Sequence, residues 1–532
     1  MQRLTIRRLT FWKGVASLIL IAGLYSTFVR FSQGLGASTA LSDEFPWGLW
    51  VGFDVLCGVA LAAGGFTISA VVYIFNLRRF KPIVRPAILT AFLGYVLVIV
   101  ALLFDLGRSY RIWHALVLWN PHSVMFEVAW CVMLYSTVLA LEFSPILLEK
   151  LGWERPLRVM HALTLPLVIL GVILSMLHQS SLGSLYLIVP EKLHPLWYSP
   201  LLPVFFFVSA LGLGCAMTIF ESFLSYRAFG KKLELHLLAE LGKVLVVVLS
   251  VYLVLKVLAL KSAGLIGLIF ASGYESRMFL AEILLGILGP IALLSIPRVR
   301  KSEFGLFVGA VMVVLGFIMN RLNISVTGME ASSGVAYFPS WTELSVTAMI
   351  VAAGFVLFGL AVRYLPVFSG AGEISSDKPA EGLPAVEVWT QLWAKENRIV
   401  LMLGGAVFAG ALILGYFGIV SRQNVSASAG SSSQSLDITK GVAYFRSPPE
   451  ITYPQSPTSP GPVTFRHSSH INPSQPECLD CHRQAFRILK SRASSAALPP
   501  REMHSDSHCG RCHDGKSAFS VEEECSLCHV EP

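Results

Sequence analysis

The sequence predicts an all-α polytopic membrane protein of about eleven transmembrane helices, with a small, loop-rich domain at its C-terminal end. Three observations lead there. Hydrophobic residues make up 54% of the 532 and charged ones only 14%, well below the quarter or so of charged residues in a soluble domain. The mean hydropathy is +0.64, and a helix needs about 20 apolar residues to cross a bilayer. Finally, six of the nine cysteines lie between 478 and 528 in a repeated Cys-x-x-Cys-His pattern.

Apolar runs long enough to cross a membrane occur near 11–30, 47–75, 88–107, 122–147, 159–178, 200–222, 237–262, 278–297, 302–322, 343–365 and 398–420. Their connecting loops differ in charge. Arg3, Arg7, Arg8 and Lys13 precede the first run, and Arg78, Arg79, Lys81 and Arg85 follow the second. Lys150, Arg155 and Arg158, then Arg227, Lys231 and Lys232, then Arg298, Arg300 and Lys301 join the same side, whereas the opposite loops hold isolated cations such as Lys192 and Arg277. Cations collect in cytoplasmic loops. The N-terminus is therefore expected in the cytoplasm, and everything after about residue 420 in the periplasm of a bacterial inner membrane. The net charge of +8 has its origin in these loops, and no nucleic-acid partner is expected. The first run is read as an uncleaved helix rather than a signal peptide, because its apolar part exceeds a usual signal core.

Four segments follow from this organisation: a membrane domain of ten helices over 1–370, a cytoplasmic loop and an extra helix over 371–420, a Ser- and Pro-rich linker over 421–462, and a cysteine-rich domain over 463–532. The linker's reach is about 35 Å.

In the last segment Cys478-Leu-Asp-Cys481-His482, Cys509-Gly-Arg-Cys512-His513 and Cys525-Ser-Leu-Cys528-His529 each read as an attachment site for haem c. Two thiols add to the porphyrin vinyl groups, and the adjoining imidazole ligates the iron. His after the second Cys in all three argues against a zinc or disulfide cluster. Three haems c are expected, with Cys478, Cys481, Cys509, Cys512, Cys525 and Cys528 holding the porphyrins and His482, His513 and His529 as proximal ligands. Haem c is attached outside the cytoplasmic membrane, the side that loop charge assigns to the C-terminus. Candidates for distal ligands are His467, His470, His504 and His508, with Met503 as a thioether option. Cys57, Cys131 and Cys215 stand singly in apolar runs and should pack as small apolar residues.

Ionisable residues within spans are costly, and so are functional candidates. Asp54, Asp105, Arg108, Glu127 and His178 fall in the outer third, near His114, His122 and His194 in the loops, and are expected to converge. Glu221, Glu240 and His161 lie toward the cytoplasm and read as helix-end groups. No facing pair of histidines stands out, and haem b is not expected.

Two resemblances add to this. The order Phe104-Asp105-Leu106-Gly107-Arg108, Asn120-Pro121-His122-Ser123-Val124-Met125-Phe126-Glu127, His178-Gln179-Ser180-Ser181-Leu182-Gly183-Ser184 and His194-Pro195-Leu196-Trp197-Tyr198-Ser199-Pro200 resembles the integral membrane subunits of type 2 Ni/Fe hydrogenases, in the NrfD-like, polysulfide-reductase membrane-subunit family. It covers about 10–370. The tail over 463–530, with Phe465-Arg466-His467-Ser468-Ser469-His470 ahead of the first motif, resembles triheme cytochromes of the class III type. That likeness implies His467 as distal ligand of the first haem, His470 of the second and a residue just upstream of Cys509 for the third, where His504, His508 and Met503 stay open, His504 being preferred. The eleventh span and the haem tail depart from the membrane family's usual pattern.

The resemblance implies electron exchange with menaquinone or ubiquinone in the lipid bilayer. His178 is then expected to hold a quinone carbonyl and Asp54, Asp105 or Glu127 to exchange protons, with Arg108 paired to Asp105. The expected function is a quinone-reactive electron-transfer subunit, working with a periplasmic iron–sulfur subunit and hydrogenase or with a soluble multihaem cytochrome. The alternatives are a membrane anchor without a quinone site and a proton-translocating quinol:cytochrome oxidoreductase subunit.

Overall fold

A computed structural model of the chain describes residues 2–43, 45–230, 233–368, 397–431, 451–453, 463–466, 470, 509, 513–515 and 520. The chain divides into two compact units, Met1–Ala427 and Ser428–Pro532. The first contains eleven helices long and apolar enough to span a bilayer: α1 Gly14–Gln33, α2 Trp50–Ile74, α3 Arg78–Asp105, α4 Val124–Leu151, α5 Glu154–Ser184, α6 Leu202–Phe229, α7 Leu235–Ser262, α8 Tyr274–Ser295, α9 Glu303–Ser333, α10 Trp341–Tyr364 and α11 Ile399–Phe417. Each of the eleven predicted runs is one of these helices.

Sequence neighbours pack side by side, α2 through α5 as one bundle and α6 through α9 as a second, joined where α6 meets α2 and α5. Close approach needs small residues: a Cβ on Gly286 of α8 would stand 3.0 Å from the Cα of Gly316 on α9. α1 and α10 pair with each other on the flank of α3. α11 packs on the other bundle, where Val400 and Ala411 join Ala281, Leu285, Leu293 and Met312 in one apolar cluster. Arg277 at the start of α8 donates to the Phe417 carbonyl. Spans 10 and 11, consecutive in sequence, therefore lie on opposite bundles.

Leu-, Val- and Phe-rich faces of the outer helices are exposed, as on Val244, Val247, Val251 and Val254 of α7, and meet lipid in a membrane protein. Four stretches of wide helical turn lie in the spans, at Trp50–Cys57, Ala70–Ile74, Leu284–Leu288 and Asn323–Thr327. Such turns frequently mark functional positions. The first and last face one another, since a Cβ on Gly52 would stand 3.2 Å from Leu322 and 3.3 Å from the Cβ of Ser325.

The helix bearing α11 continues to Ser431, so the Ser-rich stretch read as linker begins in helical form. Across the Pro-rich stretch, β1 Ile451–Tyr453 pairs antiparallel with β2 Val463–Phe465, Ile451 opposite Phe465.

Candidate functional site

The five sequence-predicted membrane residues fall into two groups plus one exposed side chain. In the first group His178, near the end of α5, is fully buried. Its Nδ1 lies 2.9 Å from the Tyr95 hydroxyl of α3, and Tyr95 stands edge-on to Tyr135 of α4 with ring centroids 4.7 Å apart. Nε2 is enclosed and has no hydrogen-bond partner. One turn further on, a spacing that puts both residues on one helix face, the Ser181 hydroxyl donates to Glu127 Oε1 at 2.5 Å. The adjacent Gln179 is also buried, and neither of its amide atoms has a partner. Unpaired buried polar atoms cost free energy. His178, Gln179 and Ser181 thus gather buried polar groups at the C-terminal end of α5.

The second group holds Asp54 and Asp105. Asp54 sits in the wide turn of α2 and accepts from the Thr347 hydroxyl of α10 at 2.6 Å. One turn before Thr347, Glu343 of α10 is fully buried. It accepts from Ala40 N at 2.9 Å, Ser340 N at 2.8 Å and the Tyr337 hydroxyl at 2.5 Å. That phenol in turn accepts from Leu49 N at 2.8 Å, and burial together with Glu343 holds it well above the usual tyrosine range.

The expected Asp105–Arg108 pair is replaced. Arg108 is exposed in the loop and takes part in none of the ion pairs among the described residues. The cation that Asp105 feels is Arg30 of α1. Its guanidinium donates to Phe104 O at 2.6 Å and Leu106 O at 2.7 Å, satisfying carbonyls left open at the end of α3. A long side chain from a neighbouring span reaches these acceptors, while Arg108 stays exposed on the loop.

A third buried network, in α6–α9, was not singled out from the sequence. Glu282 accepts from Trp197 Nε1 at 2.9 Å, Asn320 Nδ2 at 2.6 Å and Asn323 Nδ2 at 2.9 Å. Arg321 donates to Asn320 Oδ1 at 2.7 Å and Ser209 Oγ at 2.8 Å, lying 3.6 Å above the Phe206 ring. The Lys256 ammonium stands over Phe205 and Phe279 at 5.2 and 5.5 Å. Lys256, Glu282 and Arg321 all lie within apolar runs, so the criterion that found Asp54 applied to them equally. Of the groups expected at the cation-rich end, Glu240 does pair with Arg79 at 2.8 Å.

A surface recess of about 200 Å³ is lined by Phe45, Pro46, Trp47, Lys192, Met329, Ser332 and Ser333. That is below the size of ordinary organic-ligand pockets. Cys57, Cys131 and Cys215 are buried.

In the second unit, Cys478, Cys481, His482, Cys512, Cys525, Cys528, His529, His467, His504, Met503 and His508 lie outside the described residues. His470 and His513 are described, with ring centroids 6.0 Å apart at 64°. Two imidazoles ligating one iron from opposite sides have centroids about 6 Å apart, from two metal–nitrogen bonds of about 2 Å plus the ring radii. His470 Nδ1 lies 3.0 Å from Arg466 O, the kind of backbone contact that fixes the ring orientation of a metal-ligating histidine. His513 N donates to Cys509 O at 3.1 Å, closing a turn between the two residues.

A family model described as polysulphide reductase, NrfD, matches residues 37–331, and one described as cytochrome c7 and related cytochrome c matches 463–530. A protein of Nitratidesulfovibrio vulgaris is 42% identical over 364 residues, 66% of this chain and 93% of the relative. A probable Ni/Fe-hydrogenase 2 b-type cytochrome subunit of Escherichia coli is 36% identical over 64% of this chain and 87% of its own length. The integral membrane subunit of a menaquinone reductase, also from N. vulgaris, is 30% identical over 70% and 95%.

Proposed function

Because this chain belongs to the NrfD, polysulphide reductase family through its spans and carries a cytochrome c7-like domain behind them, we propose that it passes electrons between membrane quinone and a periplasmic redox protein through three haems c. The observation that carries the reading is the His178 group: a buried imidazole with one nitrogen held by Tyr95 and the other unpartnered, one helical turn from the Ser181–Glu127 pair. A quinone head group needs hydrogen-bond partners at its carbonyls and groups that exchange its protons. His178 Nε2 serves the first need. Glu127, held by Ser181, serves the second. Asp54, beside Thr347, is the candidate for the second proton, Asp105 is positioned by Arg30, and Arg108 is left to the loop surface. Menaquinone is the favoured carrier, since one relative is named a menaquinone reductase subunit.

In the tail, the cysteines of the three motifs hold the haems, with His482, His513 and His529 as proximal ligands. His467 and His470 are the distal ligands of the first two and His504 of the third, and bound haem supplies one-electron transfer. The spacing of His470 and His513 supports this assignment for the second haem. The charge difference between loops supports a cytoplasmic N-terminus and a periplasmic tail in a bacterial inner membrane. The partner is an iron–sulfur subunit with its hydrogenase, or a soluble multihaem cytochrome.

The name of the E. coli relative raises haem b within the spans. A bis-imidazole site there needs two histidines between facing helices, and among the described residues His178 is the one buried histidine. The residues do not fit such a haem, and no step is assigned to one.

The test is to purify the protein anaerobically, add a menaquinol analogue and record the c-type alpha band. Rapid reduction that is lost in His178→Ala and Glu127→Gln is expected. Equal reduction in both variants and the parent would remove the proposed quinone site, and no response with either quinol or quinone would favour the membrane-anchor alternative.

A further inference from the structure

Between the ends of α3 and α4, the segment 106–123 folds as a hairpin that exposes six large apolar side chains beside Arg108, Arg111, Asn120 and His122. Tyr110, Trp113, Leu116, Val117, Leu118 and Trp119 each expose more than half of their surface. Yet the hairpin is ordered from within. It contains a short helix, His114–Val117, closed by Leu118 N to His114 O at 2.8 Å. Trp130 Nε1 donates to Ala115 O at 3.0 Å, and the Trp119 ring lies 4.8 Å from that of Trp130. The Ser109 hydroxyl donates to Leu103 O at 2.5 Å. Held this way, these large apolar side chains form a patch that a water-facing loop does not ordinarily present.

We propose that this hairpin lies in the head-group layer of the bilayer as an interfacial element, its occupant being lipid, and forms the lipid-side rim of the His178–Glu127 group. Its level is set by the chain: it starts where α3 ends at Asp105 and finishes where α4 begins at Val124, both membrane-spanning helices. Tryptophan and tyrosine favour this layer, and an apolar helix face sinks about 5–10 Å into it. Arg108 and Arg111 are exposed on the same segment, with Arg111 standing 5.6 Å over the Tyr110 ring. They match anionic lipid phosphates. The hairpin runs directly into the first turn of α4, which carries Glu127. A long-tailed substrate held in lipid therefore meets it before the buried imidazole. This last step rests on the quinone reading, whereas the placement in lipid does not.

The full-length holoprotein with Val117→Cys, labelled with a nitrobenzoxadiazole dye and reconstituted in phosphatidylcholine–phosphatidylglycerol vesicles, tests the placement. The native Cys57, Cys131 and Cys215 are buried. Quenching by doxyl-labelled lipid and protection from iodide are expected. Iodide quenching without doxyl quenching overturns the proposal, and so does a dye that neither quencher reaches, which would mean a protein cover. In a second arm, Leu116, Val117 and Leu118 are replaced by Ser together. KM for a long-chain menaquinol should rise on the order of tenfold, about the transfer free energy of one aliphatic side chain. KM for a tailless, water-soluble quinol should stay unchanged. Equal changes for both would refute the rim. If the parent protein turns over neither quinol, the function proposed above fails and the quenching result alone decides the placement.

Discussion

Replacing Tyr95 by Phe removes one oxygen and leaves the packing volume nearly intact. In the native protein that oxygen stands 2.9 Å from His178 Nδ1 inside a fully buried setting, so Tyr95→Phe strands the ring nitrogen without a partner. Leaving a buried polar atom unsatisfied costs about 1–3 kcal/mol. The same bond fixes which face of the imidazole Nε2 presents. If quinone binds at Nε2, loss of the fixed orientation should lower kcat/KM for menaquinol by about 5- to 150-fold, at tenfold for each 1.4 kcal/mol. The assay is stopped-flow reduction of the c haems, recorded at the alpha band, with haem content matched between variants. His178→Ala should be at least as slow, and the double variant should be no slower than His178→Ala alone, because Tyr95 acts through His178. The reasoning is refuted if Tyr95→Phe keeps the parental kcat/KM, or if its effect adds in full to that of His178→Ala.

Three further outcomes are expected. Glu282→Ala leaves Trp197, Asn320 and Asn323 without their acceptor and Lys256 and Arg321 without a nearby anion. It should lower stability by about 3–5 kcal/mol, measured by thermal unfolding in detergent, and a parental melting temperature would show that the network is not structural. His470→Met should raise the potential of one haem and leave the others near their parental values, as read by a redox titration of the purified protein; no shift would remove His470 as a ligand. His194, in the loop between α5 and α6, accepts from Leu196 N through Nδ1 at 3.4 Å, and burial pushes its pKa below the ordinary histidine value. The folded state therefore disfavours the protonated ring. Its contribution is complete above the unfolded value of about 6.5 and is lost as pH falls below it, so the decline in melting temperature from pH 7 to 5 should be shallower in His194→Gln.

The eleven spans were legible because each is a long apolar run, and hydropathy alone finds such runs. Their ends were less so. The ninth run reads as ending at 322, but α9 continues to Ser333. Beyond Arg321 its polar side chains bond within the helix, Ser325 Oγ to Arg321 O at 2.9 Å and Thr327 Oγ1 to Asn323 Oδ1 at 3.1 Å, so hydropathy falls while the helix goes on. Partners distant in sequence were hidden altogether. Arg108 stands three residues from Asp105 and invited a pairing, whereas Arg30 reaches the same helix end from 74 positions away. Tyr95 was concealed for a different reason: tyrosine is common in apolar runs, and its role at His178 depends on how α3 packs against α5.

The contrast between the two units bears on how electrons leave the membrane part. With one buried histidine among the described residues of the spans and the Cys-x-x-Cys-His motifs confined to the tail, the proposed one-electron carriers all belong to the second unit. A quinone deep in the bilayer would then have no relay toward them. The proposed head-group site avoids this difficulty, because His178 lies six residues before the end of α5, about 9 Å along a helix axis at 1.5 Å per residue. On this reading, the two-electron carrier is held near a membrane surface rather than deep in the bilayer. Moving the same imidazole two turns toward the cation-rich end, by exchanging His178 with Gly171 on the same α5 face, should then abolish haem reduction even where quinone still binds. Retained binding with undiminished haem reduction would refute the surface-placement argument.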